Sequence, residues 1–156
     1  MFWSRQVGPG DPLCTGHKVE ILRRENYPAA PYDAKVGISP MVKIGNMVFI
    51  GATSSTNVQG DVEGGGDPYR QAKIIFKKIN ALLKHSGASR RHVVRVRLYV
   101  KDIAYGRDCL KAYTEWFGNV RPVITMVEAK ALARVDRLVE IEAEAIVGAY
   151  LTSRLT

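Results

Sequence analysis

Two segments of the chain alternate strictly between apolar and charged side chains, and this alternation limits the folds the chain can adopt. The segment Val93–Val100 reads VVRVRLYV, with arginines on one face and aliphatic side chains on the other. The segment Leu138–Val147 reads LVEIEAEAIV and places glutamates on its charged face. A period of two residues is typical of a β-strand with one buried face. Both segments are therefore predicted as strands whose charged faces are solvated or paired with each other.

Helices and further strands are predicted around these two segments. Two β-branched runs between Met41 and Ala52 flank the turn Gly45-Asn46 and predict a hairpin. Asp67-Pro68 supplies an N-cap and a first-turn proline for a helix that ends at Gly87. The other predicted elements are a helix over residues 104–117 and a strand over residues 123–128. The order β-β-α-β-α-β-β predicts an α+β fold, in which a mixed sheet carries both helices on one face.

The two faces of this sheet are expected to differ in polarity. The side that the helices cover is expected to include Val94, Val96, Leu98 and Val100. The uncovered side, called the sheet back below, is expected to present Met47, Phe49, Ile124 and Met126 beside the charged residues. Because so much apolar surface is rarely left in water, we expect a homo-oligomer that buries the sheet backs, with arginine–glutamate pairs at the seam.

Length and composition bound the organisation of the chain. A length of 156 residues and 46% hydrophobic residues are typical of one folded domain. We expect an N-terminal arm over 1–35, in which residues 17–22 form a short strand, then a domain over 36–150 and a tail over 151–156. No apolar run approaches the ~20 residues needed to cross a bilayer, and no secretory signal is recognised, so a cytoplasmic protein without membrane contact is expected.

Positive charge is concentrated in one part of the chain. Residues 68–101 contain ten basic residues and no acidic ones, although the whole chain carries a net charge of only +8. Such a cluster can attract nucleic acid through its phosphates, or it can form a solvated helix face with strand arginines paired elsewhere. No aromatic stacking surface interleaves with these residues, which favours the second reading. Specific nucleic-acid binding is therefore not expected.

Several motifs, in this order, resemble those of the Rid (YjgF) family, whose members are also labelled endoribonuclease L-PSP. They lie between about Val36 and Gly148 and read VKIGNMVF at 42–49, GAS at 87–89, LYVKD at 98–102 and VEIEA at 139–143. The resemblance implies a chorismate-mutase-like fold, a homotrimer and ligand clefts between neighbouring subunits. It also implies hydrolysis of reactive enamines or imines to a ketone and ammonia, without metal or organic cofactor.

The residues that match the family's functional positions are only partly of the family's types. Glu140 matches the glutamate that positions or activates water. Ile124 stands where the resemblance implies a substrate-binding arginine, and Met126 stands at the cysteine position. Ile38 replaces a tyrosine, and Leu110 takes the place of an asparagine. The candidate substrate-binding residues are Ile38, Ser39, Ala52, Arg97, Leu110, Ile124, Thr125 and Met126.

Two readings stay open for each charged candidate. Glu140 is either a general acid/base, favoured by apolar neighbours at Ile124 and Met126, or a glutamate ion-paired with Arg95 or Arg97. Arg95 and Arg97 either replace the missing arginine or pair with Glu142 and Glu144. Arg121 is a further arginine near the missing position, but its odd offset from Ile124 turns it to the opposite sheet face.

Three functions are therefore compatible with the sequence. The first is cofactor-free hydrolytic deamination of an imine or enamine that the usual arginine does not anchor. The second is a non-catalytic trimer that binds a small molecule or protects a partner. The third is a weak RNA-binding or endoribonuclease-like protein. The histidines lie on separate predicted elements, so no metal site is expected, and Cys109 on the apolar stripe of the second helix is predicted to be buried.

Overall fold

A computed structural model describes residues 21–23 and 37–149. The elements are strands β1 Ile21–Arg23, β2 Met41–Ile44, β3 Met47–Thr53, β4 Val93–Val100, β5 Val123–Glu128 and β6 Val139–Ile146, with helices α1 Pro68–His85 and α2 Gly106–Phe117. The predicted order of strands and helices is confirmed over 41–146. The rest of the predicted arm and the tail over 151–156 lie outside the described residues. No helix within 37–149 has the length and apolar character needed to span a bilayer.

The strands form one mixed sheet in the order β1-β2-β3-β6-β4-β5. Only β4 and β5 run parallel, and the other neighbours are antiparallel. Both helices cover the same face, as the two right-handed crossovers predict. Phe76 of α1 meets Phe117 of α2 edge-to-face with ring centroids 5.5 Å apart, above a buried layer that includes Val96, Leu98 and Ile141. The core thus lies between the helices and one face of the central strands.

Local signals in the sequence explain where the hairpin and the first helix begin and end. Gly45, the first central residue of the hairpin turn, has a φ of +57°. Tight hairpin turns need a positive φ at this position, which glycine adopts readily. At the start of α1 the Asp67 carboxylate accepts a hydrogen bond from the backbone N–H of Arg70 at 3.0 Å. Gly87 follows the helix with a φ of +76° and stops it in the left-handed conformation.

Strand β4 departs from the predicted alternation at its first residues. The register with β6 shifts between Val93, which pairs with Ala145, and Arg95, which pairs with Glu144. Between these two pairs β4 advances by two residues while β6 advances by one. The extra residue in β4 is Val94, which forms a β-bulge. As a result Val93 is buried and Val94 is only half-buried, so the prediction that Val94 joins the core is wrong. The side chains of Val96, Leu98 and Val100 are buried as predicted.

Strand β5 presents the opposite faces from those predicted. Ile124 pairs with the buried Val96 and Met126 with the buried Leu98, so both side chains point toward the helix layer. A Cβ at Gly106, in the first turn of α2, would come within 2.9 Å of the Met126 Sδ. The prediction that Ile124 and Met126 lie on the sheet back is therefore wrong. Met47 and Phe49 do lie there, together with Val123 and Val127.

Gln71 joins α1 to the loop before it by one hydrogen bond and to the segment before β6 by two. Its side chain is fully buried, and its Nε2 donates to the carbonyl oxygens of Gly65 at 2.7 Å and Asp136 at 3.0 Å. Its Oε1 accepts from the backbone N–H of Leu138 at 2.9 Å. A buried amide that satisfies three backbone groups from two loops fixes their positions relative to the helix.

We expect Gln71→Leu to lower the free energy of unfolding by about 2–3 kcal/mol. The leucine side chain is similar in volume to glutamine but leaves these buried backbone groups without hydrogen-bond partners. Urea unfolding should show a lower midpoint with an unchanged slope. Lys77→Ala, on the exposed face of the same helix, should change stability by less than ~0.5 kcal/mol. An unchanged midpoint for Gln71→Leu would contradict the role assigned to this amide.

Candidate functional site

Glu140 lies on the sheet back at the start of β6, opposite Tyr99 of β4. Its side chain is only 15% exposed and that of Arg137 is 19% exposed. The Arg137 Nη1 donates to the Glu140 Oε1 at 2.7 Å, in a pair three residues apart. The glutamate is thus ion-paired, but with Arg137 and not with Arg95 or Arg97 as one reading of the sequence supposed. Arg137 was missed because it lies in an irregular segment, and its spacing of three residues from Glu140 was the available signal.

The loop after β3 completes the surroundings of this pair. The Arg137 Nε donates to the Thr56 Oγ1 at 3.2 Å, and the Ser54 Oγ donates to the same oxygen at 2.9 Å. Lys78 of α1 donates to the carbonyl oxygens of Ser54 at 2.9 Å and of Thr56. Burial lowers the pKa of the Lys78 amine, and the positive charge of Arg137 lowers it further. Two cations and one carboxylate therefore converge on this loop.

One side chain of this loop has unused hydrogen-bonding capacity. Ser55 is fully buried, and its Oγ has no hydrogen-bond partner within the described part of the chain. Its backbone carbonyl accepts from the N–H of Glu63 at 3.2 Å, which ties the loop to itself. A buried hydroxyl without a partner is uncommon and leaves one donor available beside Ser54 and Thr56.

Four of the predicted site residues lie at this end of the sheet. Strands β3 and β6 meet at the pair Thr53–Ile141, next to Ala52 and Glu140. The N–H of Gly51 donates to the carbonyl of Pro40 at 3.1 Å, which brings the exposed Ile38 and the half-buried Ser39 toward the same strand end. The glutamate group, as it is called below, consists of Ile38, Ser39, Ala52 and Glu140.

Three other predicted residues lie on the opposite face of the sheet. Ile124 and Met126 point toward the helix layer from β5, the last strand of the sheet. Leu110 is exposed one turn after Gly106, on the side of α2 that faces Met126. These three residues are called the edge group below. Within one chain the structure does not bring the edge group together with Glu140, and Ile124 and Met126 do not flank that carboxylate.

Arg97 and Thr125 are register partners on the sheet back, between the two groups. The Arg97 Nη1 lies 3.2 Å from the Glu142 Oε2 and 2.9 Å from the Glu144 Oε1. The Tyr99 hydroxyl donates to the same Glu142 oxygen at 3.2 Å, and burial together with that carboxylate raises the pKa of Tyr99. The structure therefore supports the structural reading of Arg97, as a partner of two glutamates.

The basic segment does not form an open stripe. Lys73 pairs with Glu115 at 3.1 Å, Arg95 reaches Glu144 at 3.9 Å, and Lys101 donates to a backbone carbonyl. Arg90 stacks over the ring of Trp116. Most of these cations thus hold the fold together. Cys109 is buried as predicted, and burial raises the pKa of its thiol to about 12, so the thiol is unreactive at neutral pH.

Comparisons with known proteins agree on the family. The sequence model of the family described as endoribonuclease L-PSP matches residues 27–147. The chain is 32% identical over 126 residues to a RutC family protein from Pyrococcus abyssi. The aligned region covers 81% of this chain and 94% of that protein. It is 28% identical over 124 residues to the 3-aminoacrylate deaminase RutC of Acinetobacter baylyi, over 78% of this chain and 93% of that protein.

A solved structure supports the same assignment. The crystal structure of a YjgF-family protein from Mycobacterium tuberculosis superposes with a TM-score of 0.72 at 33% identity. The match covers 82% of this chain and 100% of that one. Both the mixed sheet and the two covering helices therefore agree with the chorismate-mutase-like α+β fold. The chain belongs to the endoribonuclease L-PSP family, also known as the YjgF or Rid family.

Proposed function

We propose that the protein is a homotrimer that hydrolyses an imine or enamine in clefts between its subunits, without a cofactor. The observation that carries the proposal is Glu140, a mostly buried carboxylate that Arg137 holds in place at 2.7 Å. The similarity to a 3-aminoacrylate deaminase supports this class of reaction. At the level of the family, deaminase and endoribonuclease L-PSP functions are both represented among its relatives.

A second subunit would complete the site that one chain leaves divided. The glutamate group and the edge group lie on opposite faces of the sheet, so a cleft that contains both needs two copies of the chain. The sheet back also leaves Met47, Phe49 and Val127 uncovered. Apolar surface of this kind is typical of a subunit interface. Assembly would bury it and set the edge group of one protomer beside the glutamate group of the next.

The chemistry needs one positioned base and a water molecule. Glu140 would take a proton from the water as its oxygen attacks the electrophilic carbon of the C=N bond. Glu140 returns this proton to the nitrogen, which gives a carbinolamine, and an enamine substrate would first take up a proton on carbon to become the imine. As the C=O bond forms, the hydroxyl proton passes to the nitrogen, the C–N bond breaks and ammonia leaves. Arg137, which itself donates to the Thr56 hydroxyl, would hold the carboxylate in the orientation that this proton transfer requires.

The substrate would differ from that of arginine-bearing relatives. An arginine grips a carboxylate with two parallel hydrogen bonds, and the aliphatic Ile124 cannot replace them. The edge group is instead built from Leu110, Ile124 and Met126. We infer that the cleft accepts either a more apolar imine or enamine, or an anionic one that a cationic side chain at another position holds.

Two alternatives make different predictions. A trimer that binds a ligand or protects a partner would bind small molecules with no release of ammonia. An endoribonuclease-like protein would bind RNA through phosphates, with an affinity that falls steeply between low and physiological salt. Tight RNA binding at physiological salt, or RNA cleavage lost on Glu140→Gln, would favour that function over deamination.

The oligomeric state is the first test. Light scattering coupled to size-exclusion chromatography should report about three times the chain mass of 17.3 kDa. A monodisperse monomer would contradict the trimer and the inter-subunit cleft together.

Glu140→Gln should abolish ammonia release while the trimer mass stays unchanged, because the amide is similar in size but cannot accept the water's proton. Glu142→Gln is the matched control, since it removes a carboxylate two residues along the same face, and it should keep most of the activity. Equal losses in both variants, or full activity in Glu140→Gln, would exclude Glu140 as the base.

Ile124→Arg should raise turnover of 2-iminopropanoate ten-fold or more, because ~1.4 kcal/mol of added transition-state binding gives a factor of ten. Ile103→Arg adds the same charge at another exposed apolar residue, outside the edge group, and should give no gain. Wild-type turnover already as fast as that of arginine-bearing relatives would show that another residue anchors the carboxylate.

Mixed trimers test whether residues 124 and 140 meet across the interface. A chain carrying both Ile124→Arg and Glu140→Gln should be inactive alone, because every cleft lacks the base. Mixed with wild-type chains, it should give turnover above that of either parent, since some clefts then combine the new arginine with an intact Glu140. A mixture that never exceeds the wild type would place both residues in one chain's site.

A further inference from the structure

A cleft of about 610 Å³ opens at the opposite end of β4 from Glu140. Val93 lines the cleft, and Tyr99, six positions further along β4, lies opposite Glu140. At ~3.3 Å per strand residue the two places are about 20 Å apart. The lining residues are Arg91, His92, Val93, Val94, Asn119, Val120, Arg121, Pro122, Val123 and Ala149. None of the predicted site residues is among them.

The charge of the lining formed by the described residues is positive. This lining includes Arg91 and Arg121 and, among the residues that the structure describes, no aspartate or glutamate. Neither guanidinium makes a hydrogen bond or ion pair with the part of the chain that the structure describes, whereas the neighbouring Arg90 stacks on Trp116. Arginine is well suited to bind carboxylate or phosphate groups, because its planar fork matches their oxygens.

His92 adds a donor of fixed type to the same wall. Its Nδ1 accepts a hydrogen bond from the backbone N–H of Ser89 at 3.1 Å. The neutral ring must then carry its proton on Nε2, so it presents an N–H in either protonation state. Together with Asn119, the cleft therefore offers donors of three chemical kinds.

The backbone at Arg121 is held in an unfavourable conformation. Its φ is +56°, and it is the one residue other than glycine with a positive φ in the described part of the chain. Its N–H donates to the Phe117 carbonyl at 2.8 Å, and the buried Pro122 follows it. A glycine would adopt this conformation without steric cost, so an arginine here suggests that its side chain is needed.

The other wall of the cleft is aliphatic. Val94, the extra residue of the β-bulge, lines it together with Val93, Val120 and Val123. Bulges often redirect a side chain toward a binding site. A cleft of this volume with apolar walls and a few convergent polar groups is typical of a small-molecule site.

We propose that this cleft binds a small organic anion, with its carboxylate or phosphate group at Arg91, His92 and Arg121 and its apolar body against the valines. The site is separate from the one around Glu140 and does not depend on the function proposed for that glutamate. Two headgroups share the recognising chemistry, so the experiment compares them directly.

Isothermal titration of the full chain with phenyl phosphate, phenylacetate and the neutral 2-phenylethanol tests the proposal. At least one anion should bind ten-fold or more tightly than the alcohol, and the tighter one identifies the headgroup. Arg91→Gln and Arg121→Gln should each weaken that binding five-fold or more. Lys77→Gln removes the same charge from the exposed face of α1 and should leave the affinity unchanged. Weak binding of both anions, no tighter than the alcohol, overturns the proposal, as does an equal loss in Lys77→Gln.

A second variant separates binding from folding. Arg121→Gly relieves the left-handed backbone, so its Tm should be equal to or higher than that of the wild type, while binding is lost. A lower Tm together with unchanged binding would show that the arginine serves the fold alone. Glu140→Gln should bind the anion as the wild type does. If it weakens binding as much as Arg121→Gln, the probe occupies the cleft around Glu140 and the present proposal is wrong.

Discussion

The pairing of β4 with β6 is the constraint on which the rest of the structure depends. In the observed register the arginines of β4 lie beside the glutamates of β6, and the valine, leucine and isoleucine side chains lie on the other face against the helices. A slip of one residue would bury the charges and expose the core. Both helices, the edge strand β5 and the hairpin β2–β3 are attached to this pair, so its register decides which face of every strand can carry a site.

The sequence predicted the fold wherever a pattern had one interpretation. The alternation in Leu138–Val147 and the caps at Asp67 and Gly87 each favour a single structure, and the structure agrees with them. Strand β5 could not be interpreted in this way, because VITMVE is apolar on both faces, and only its parallel pairing with β4 decides which side is covered. The bulge at Val94 could not be predicted either. It adds one unpaired residue to β4, and that residue is of the same apolar type as its neighbour Val93.

The sequence could nominate residues for the candidate site but could not indicate how they are arranged. Glu140 could be selected from the resemblance of its strand to those of the family, and its mostly buried side chain suits that role. Its partner Arg137 could not be selected, because an irregular segment has no periodic pattern from which the direction of a side chain can be predicted. The division into two groups on opposite faces follows from the register of β5, which is a property of the folded sheet.

The three hydrogen bonds of Gln71 have a dynamic consequence. Two of them end on Asp136 and Leu138, the residues on either side of Arg137, so the first turn of α1 holds the backbone of this arginine from both sides. Any fluctuation that frays this turn would release Arg137 and with it the carboxylate of Glu140. Cooperative opening units in proteins often follow such shared buried contacts. The amides of the first turn and those around Arg137 should then exchange with solvent as one unit. The local unfolding of a helical turn that itself contributes no group to the site would therefore set how well ordered the site is.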